Sequence, residues 1–234
     1  MKAFVVDLDS SENQSILKPI ARPFNNQAHQ VNEAAEKIHE LIKNAPYSND
    51  NIVLKRNEIK EAFFSPFKPQ LKNTQVFLSH SHADKNKALE VKDYLESQTK
   101  RKVFIDSLFW DYKDDVLNKL AKHDDISKIE DAFTLILRES LQDVIEKCPY
   151  FVFLQSKNSV SLNQDLSRIT YSAWIYEELK IANTFITGTT LKESRIKAMR
   201  VSYDATNLLR RFKPISLDSL CKKIAPNLIT KDTK

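Results

Sequence analysis

Short apolar runs alternating with helical stripes constrain this chain more than any other feature. "QVFLS", "KVFID" and "YFVFLQS" begin at residues 75, 102 and 150. Residues 84–98 between the first two carry a helical pattern. Val116, Leu117, Leu120 and Ala121 predict a short helix after the second, and "HDDISKIED" is polar enough for a loop. Phe133, Ile136, Leu137, Leu141, Val144, Ile145 and Cys148 form a longer stripe, stopped by Pro149. A helix over 174–185, a fourth strand within "KAMRVSYDA", and a short extended piece with a last helix in "FKPISLDSLCKKIAP" complete the series. Strands that alternate with helices predict an α/β fold, a parallel sheet with helices on both faces. Continuous apolar runs such as "VFL" and "FVFL" suit strands buried on both sides.

Residues 1–73 read differently. They hold Pro19, Pro23, Pro46, Pro66 and Pro69, five of the eight prolines. Val31, Ala34, Ala35, Ile38, Leu41 and Ile42 recur at helical spacing before Pro46. The expectation is a small helical N-terminal extension over 1–73, a main domain over 74–226 and a tail over 227–234.

Composition excludes several functions. Gly188 is the chain's one glycine, so neither glycine-rich phosphate-loop motif is present. Cys148 and Cys221 lie far apart, which argues against a disulfide framework and for reduced thiols. The start, "MKAFVVDLDSSENQ", turns acidic and polar too soon for a signal peptide, and no apolar run approaches the ~20 residues of a membrane span. A cytoplasmic protein is therefore expected. The net charge of +5 is spread over lysines that sit beside acids, as in "KNKALEVKDYLE", which reads as solvated helix faces and not as a nucleic-acid surface.

"VFLSHSHADK" places His80, His82 and Asp84 in an H-x-H-x-D pattern. A hydrolytic metal site would continue with a histidine, but Lys85 follows, and His123 is the one histidine downstream. A catalytic zinc site needs three protein ligands in fixed geometry, so no metal is expected. The alternative is a strand–loop–helix junction. Ser81 with Asp84 three residues on has the spacing of a helix N-cap. Such a junction falls at the carboxyl edge of a parallel sheet, where open α/β sheets bind ligands.

Taken in order, "VFLSHSHADKNKALEVKDYL", "KVFID", "YFVFLQSKNSV" and "SAWIYEELKIA" resemble the TIR (Toll/interleukin-1 receptor) domain family, most closely its bacterial members. The resemblance covers about 74–225, two thirds of the chain. It implies a flavodoxin-like parallel sheet. It departs in two places: "DSLFWDYKDDV" lacks the usual loop glycine, and "KHDDISKIEDAFTLILRES" is longer than its receptor-type counterpart.

The resemblance also implies chemistry. Many bacterial and plant TIR domains cleave NAD+ at the nicotinamide–ribose bond, using the glutamate of W-x-x-x-E. That maps onto Trp174 and Glu178. Helical spacing independently groups Trp174, Glu178, Ile181, Ala182 and Phe185 on one face, a mostly apolar setting for a carboxylate. Glu178 is either the catalytic carboxylate or an ion-paired structural one. Trp174 either packs in the core or contacts the ligand. Ser79, His80, Ser81 and His82 either line the NAD+ site or serve turn and cap chemistry. Asp106 and Trp110 stand at the mouth of the next loop, where Trp110 could stack on a base or sit in an interface.

The implied function is an NAD-consuming enzyme of bacterial antiphage defence, of the Thoeris kind. It would release nicotinamide and a cyclic or conjugated ADP-ribose signal for a separate effector, with NAD+ as substrate and no further cofactor. The alternatives are simple NAD+ hydrolysis to ADP-ribose and a non-enzymatic adaptor acting through TIR–TIR contacts. Sites of the family commonly form between subunits, so a homo-oligomer is expected.

Overall fold

The computed structural model describes residues 1–17, 28–45, 47–48, 51–52, 54–65, 68–105, 107–122, 127–162, 168–186 and 202–226. In chain order the elements begin with β1 (Lys2–Asp7), α1 (Ser11–Ile16), α2 (Ala28–Asn44), β2 (Tyr47–Ser48), β3 (Asn51–Ile52), α3 (Arg56–Phe64) and α4 (Lys68–Leu71). Next come β4 (Thr74–Ser79), a 3-10 turn (His82–Asp84), α5 (Lys85–Thr99), β5 (Lys102–Ile105), α6 (Ser107–Leu120), α7 (Ser127–Lys147) and β6 (Tyr150–Gln155). The last are β7 (Ser161–Leu162), β8 (Arg168–Thr170), α8 (Ala173–Phe185), β9 (Tyr203–Asp204), α9 (Thr206–Leu209), β10 (Lys213–Pro214) and α10 (Leu217–Ile224).

The fold is α/β. A five-stranded sheet runs in the order β10-β1-β6-β4-β5, and every pairing in it is parallel. This arrangement is consistent with a flavodoxin-like fold. The apolar runs at 76–78, 103–105 and 151–154 are buried strands, as their composition predicts. Helices surround the sheet: α5 packs on β5, and α10 packs on α5 and α1.

Two expectations need correction. Residues 1–73 are not one helical extension, because β1 is a strand of the main sheet, paired with β6 over its whole length from Lys2↔Tyr150 to Asp7↔Gln155. Its "AFVV" core is buried between two exposed charges, which is the pattern of an inner strand. The strand within "KAMRVSYDA" does not join this sheet. Tyr203–Asp204 pairs antiparallel with β8 in a separate three-stranded sheet, β7-β8-β9. The fourth place in the sheet therefore belongs to the first strand of the chain. The tail at 227–234 lies outside the described residues.

The chain divides into two compact units. The first holds the sheet and comprises 1–20, 74–105 and 145–234; the second comprises 21–73 and 106–144. Within the second, α2 packs on α3 and α6. Phe63 meets Phe64 and Phe133 edge-on, with ring centroids 4.9 and 5.1 Å apart. The stripe at 133–147 is helical as predicted, with Cys148 just past the end, although α7 begins at Ser127, inside the stretch expected to be a loop.

In the first unit the pleat sorts the sheet's side chains. Phe104, Phe77 and Phe151 occupy one register row on one face, with centroids 5.6 and 5.3 Å apart. Phe212 closes the row edge-on against Phe151 at 5.5 Å. Ser79 lies two residues beyond Phe77 and so shares this face. The opposite face carries Lys2, Phe4, Tyr150 and Val152.

Candidate functional site

At the end of β4, Ser79 and His80 are buried, Ser81 is half-buried and His82 is exposed. Helix α8 brings the sequence's other candidate to the same place. Ser79 Oγ donates to Glu178 Oε2 at 2.5 Å, and both residues are 0% exposed. The apolar face expected of α8 is real: Ile175, Leu179, Ile181 and Ala182 are buried around Glu178. Trp174 is half-buried one turn before it. The carboxylate is therefore held in a low-dielectric setting by a hydroxyl from the carboxyl end of a central strand. A fixed carboxylate of this kind can stabilise a developing cation or accept a hydrogen bond from a ligand hydroxyl.

Several contacts fix α8. Ser172 caps its start, accepting from the Ile175 amide at 3.2 Å. Tyr176 stacks on Tyr203 at 5.0 Å. At the other end Asn183 Nδ2 donates to the carbonyls of Leu179 and Leu208. The Arg211 guanidinium donates to the carbonyls of Asn183 at 3.1 Å and Ile186 at 2.5 Å. A cation on the last carbonyls of a helix satisfies orphan acceptors and complements the helix dipole.

The S-x-x-D spacing within this pattern does not form the expected cap. Neither Ser81 nor Asp84 makes a side-chain cap hydrogen bond. The Asp84 carboxylate is buried and turns instead to the loop after β6. It accepts from Ser156 Oγ, and from Asn158 Nδ2 at 2.8 Å. Ser156 Oγ in turn accepts from the amides of Asn158 and Ser159 at 3.0 and 3.2 Å. The loop after β1 is tied to the same place, because Lys157 N donates to Asp9 Oδ2 at 2.9 Å. That amide is the main cause that holds the Asp9 carboxyl below its ordinary pKa; burial opposes it, and Lys87 adds to the lowering.

Three strand ends, those of β1, β4 and β6, are thus clasped together at the carboxyl edge of the sheet. Sequence reasoning missed this clasp. Its signal was the polar "SKNS" immediately after β6, whose core 151–154 is buried.

Of the remaining candidates, Asp106 lies outside the described residues. Trp110 falls within α6, in the second unit, and its side chain is not described. Ser79, His80, Ser81, His82, Trp174 and Glu178 all belong to the first unit. Among the described residues no helix is long and apolar enough to cross a membrane.

Comparison with known proteins gives no relative: no family model, no curated protein and no solved structure matches the chain.

Proposed function

We propose that this protein is a TIR-type enzyme that cleaves the nicotinamide–ribose bond of NAD+, with Glu178 as its catalytic carboxylate. The observation that carries this reading is the fully buried Glu178, held by Ser79 at the carboxyl edge of a parallel sheet. That edge is where ligands reach open α/β sheets. The residues involved are those of the two motifs most like the TIR family, brought together from 99 positions apart.

The chemistry follows from the carboxylate. Heterolysis of the C–N bond leaves its electron pair on nicotinamide, a neutral leaving group, and positive charge on the ribose. The transition state resembles that of glycoside cleavage. Glu178 stabilises that charge and accepts a ribose hydroxyl proton in a hydrogen bond. Trp174, one turn away, offers an aromatic surface to the nicotinamide side. Attack by water gives ADP-ribose. Exclusion of water lets another nucleophile attack and gives a cyclic or conjugated ADP-ribose, the kind of product that could act as an antiphage signal.

Glu178 has no exposure in the single chain, so substrate entry requires its cover to move. This fits a site that opens on self-association of the TIR region. The same burial favours a second reading, in which Glu178 is structural and the chain is an adaptor acting through TIR–TIR contacts.

The test is incubation of the purified protein with NAD+, with and without lysate from infected cells, and chromatographic resolution of the products. Wild type and Glu178→Gln are compared. Nicotinamide release that the variant abolishes supports the enzyme, and the second product distinguishes hydrolysis from cyclisation or conjugation. Equal release from both proteins, or none in assembled samples, favours the adaptor.

A further inference from the structure

The face of the sheet opposite Ser79 carries a compact group of lysines that the proposed reaction does not use. Phe4 of β1 and Lys213 of the edge strand β10 are register partners, so their side chains share that face. Lys2, two residues before Phe4, shares it as well. From α10, which covers this face, Lys223 places its Nζ 5.6 Å from the centroid of the Phe4 ring. Lys213 and Lys223 thus both neighbour Phe4, and Lys2 lies two residues along β1 on the same face. The charge of Lys213 is the main cause that holds Lys223 below the ordinary lysine pKa. Arg101 extends the positive field, its guanidinium lying 5.3 Å from the centroid of Tyr150, the register partner of Lys2.

Among the described residues, carboxylates do not relieve this crowding. The acid on α10 is Asp218, and it pairs with Lys222 at 2.5 Å. Among the described residues, Lys2, Lys213 and Lys223 form no ion pair with an acid. Elsewhere lysines do pair with acids, as in Lys92–Glu96 and Lys37–Glu33. Like charges gathered this closely are unfavourable unless an anion joins them.

We propose that Lys2, Lys213 and Lys223 form a binding site for a compact, multiply charged phosphate ligand of the diphosphate or polyphosphate class. Ammonium groups act as point-charge donors to phosphate oxygens, and several in one spot suit adjacent phosphates. A nucleic acid would need cations spaced along its backbone, whereas these three are grouped on one face about Phe4. The pleat separates this site from Glu178, which lies against the other face.

The test titrates sodium tripolyphosphate into the full-length protein at low ionic strength, by calorimetry and by NMR of the lysine side chains. Wild type is compared with Lys213→Gln/Lys223→Gln, and circular dichroism checks that the variant is folded. Saturable binding of one ligand per chain is expected, weakened at least about tenfold in the variant. By linkage, the bound anion should raise the pKa of Lys223.

Two further arms distinguish the source of the phosphate, one with duplex DNA and one with phosphatidylglycerol vesicles. Failure of tripolyphosphate to saturate, or equal affinity in the variant, overturns the proposal. Tighter binding to DNA or vesicles that is lost in the same variant also overturns it, in favour of a macromolecular surface. Neither result bears on NAD+ cleavage, which the Glu178→Gln comparison tests separately.

Discussion

Ser79 Oγ donates to Glu178 Oε2 across 2.5 Å, and solvent reaches neither residue. This bond ties the last residue of β4 to the middle of α8. Ser79→Ala would leave a buried carboxylate without that donor, and a lost charge-assisted hydrogen bond costs about 1.5–3 kcal/mol. Glu178→Gln keeps an acceptor for Ser79 and removes the buried charge, so its stability should stay within about 1 kcal/mol of wild type or rise. Urea unfolding of the two variants checks both expectations. Combined with the NAD+ assay, it separates the roles: a glutamine variant as stable as wild type but without turnover marks Glu178 as chemical and not structural.

The Asp84 clasp predicts a different pattern. Asp84→Ala removes the acceptor for Ser156 Oγ and Asn158 Nδ2 together. The expected loss is about 1–3 kcal/mol, since the buried Ser156 hydroxyl loses its acceptor while the exposed Asn158 amide can turn to water. Hydrogen exchange gives a local readout. Amides of Asn158 and Ser159, which donate to Ser156 Oγ, should lose protection before those of α10. Uniform loss across the unit would mean that Asp84 supports global stability and not the clasp.

How much of this could be read in advance follows from the range of each interaction. The strands at β4, β5 and β6 and the helices α5, α7 and α8 were legible because burial leaves a local signature, a continuous apolar run or a helical stripe. That Ser79 and Glu178 belong to one site was expected only through family resemblance, and their hydrogen bond was not expected at all, since nothing local joins positions 99 apart. The fourth strand was misassigned for the same reason. "AFVV" near the start was passed over as a strand and "VSYD" near the end was read as one, because strand order depends on tertiary contacts that neither segment encodes alone. The four buried residues of "AFVV" against the half-buried and exposed pair Tyr203–Asp204 give the physical reason in retrospect. An inner parallel strand must be apolar on both faces. Asp84 was misread because S-x-x-D spacing is shared by caps and by loops that cross to a neighbouring strand.

The cysteines make stability fall in alkali. Burial pushes the Cys148 thiol up to about 12. Burial, then the nearby Asp218 carboxylate, pushes Cys221 up to about 11, with the Tyr94 hydrogen bond opposing. The unfolded chain releases these protons near the ordinary thiol value of 9.0, while the folded chain retains them. The unfolded state then binds fewer protons, so stability falls as pH rises through this window. The stability these thiols contribute is fully present below pH 9, and Cys148 removes up to about 1.4 kcal/mol per pH unit above it. Cys221 adds a smaller loss over a narrower range. Native-state alkylation at pH 8 should be slow at both thiols and fast in denaturant. Cys148→Ala should flatten the alkaline fall, and an unchanged slope would assign it to other groups.

Lys100 closes α5 in the left-handed region, at φ 58°, and is the one non-glycine residue with positive φ among those described. Its amide donates to Glu96 O at 3.0 Å, so the conformation completes the helix end before β5 begins. A side chain with a Cβ pays about 1 kcal/mol in this region, which is why glycine is the usual residue there. Lys100→Gly should therefore stabilise the protein, although glycine's larger unfolded-state entropy takes back part of the gain. The net expectation is about 0.5 kcal/mol in urea unfolding at unchanged m-value. Lys100→Ala separates backbone from side chain, because it removes the lysine's charge and length while keeping the Cβ. It should give none of the glycine gain. A stabilised alanine variant would place the effect in the lysine side chain and not in the backbone.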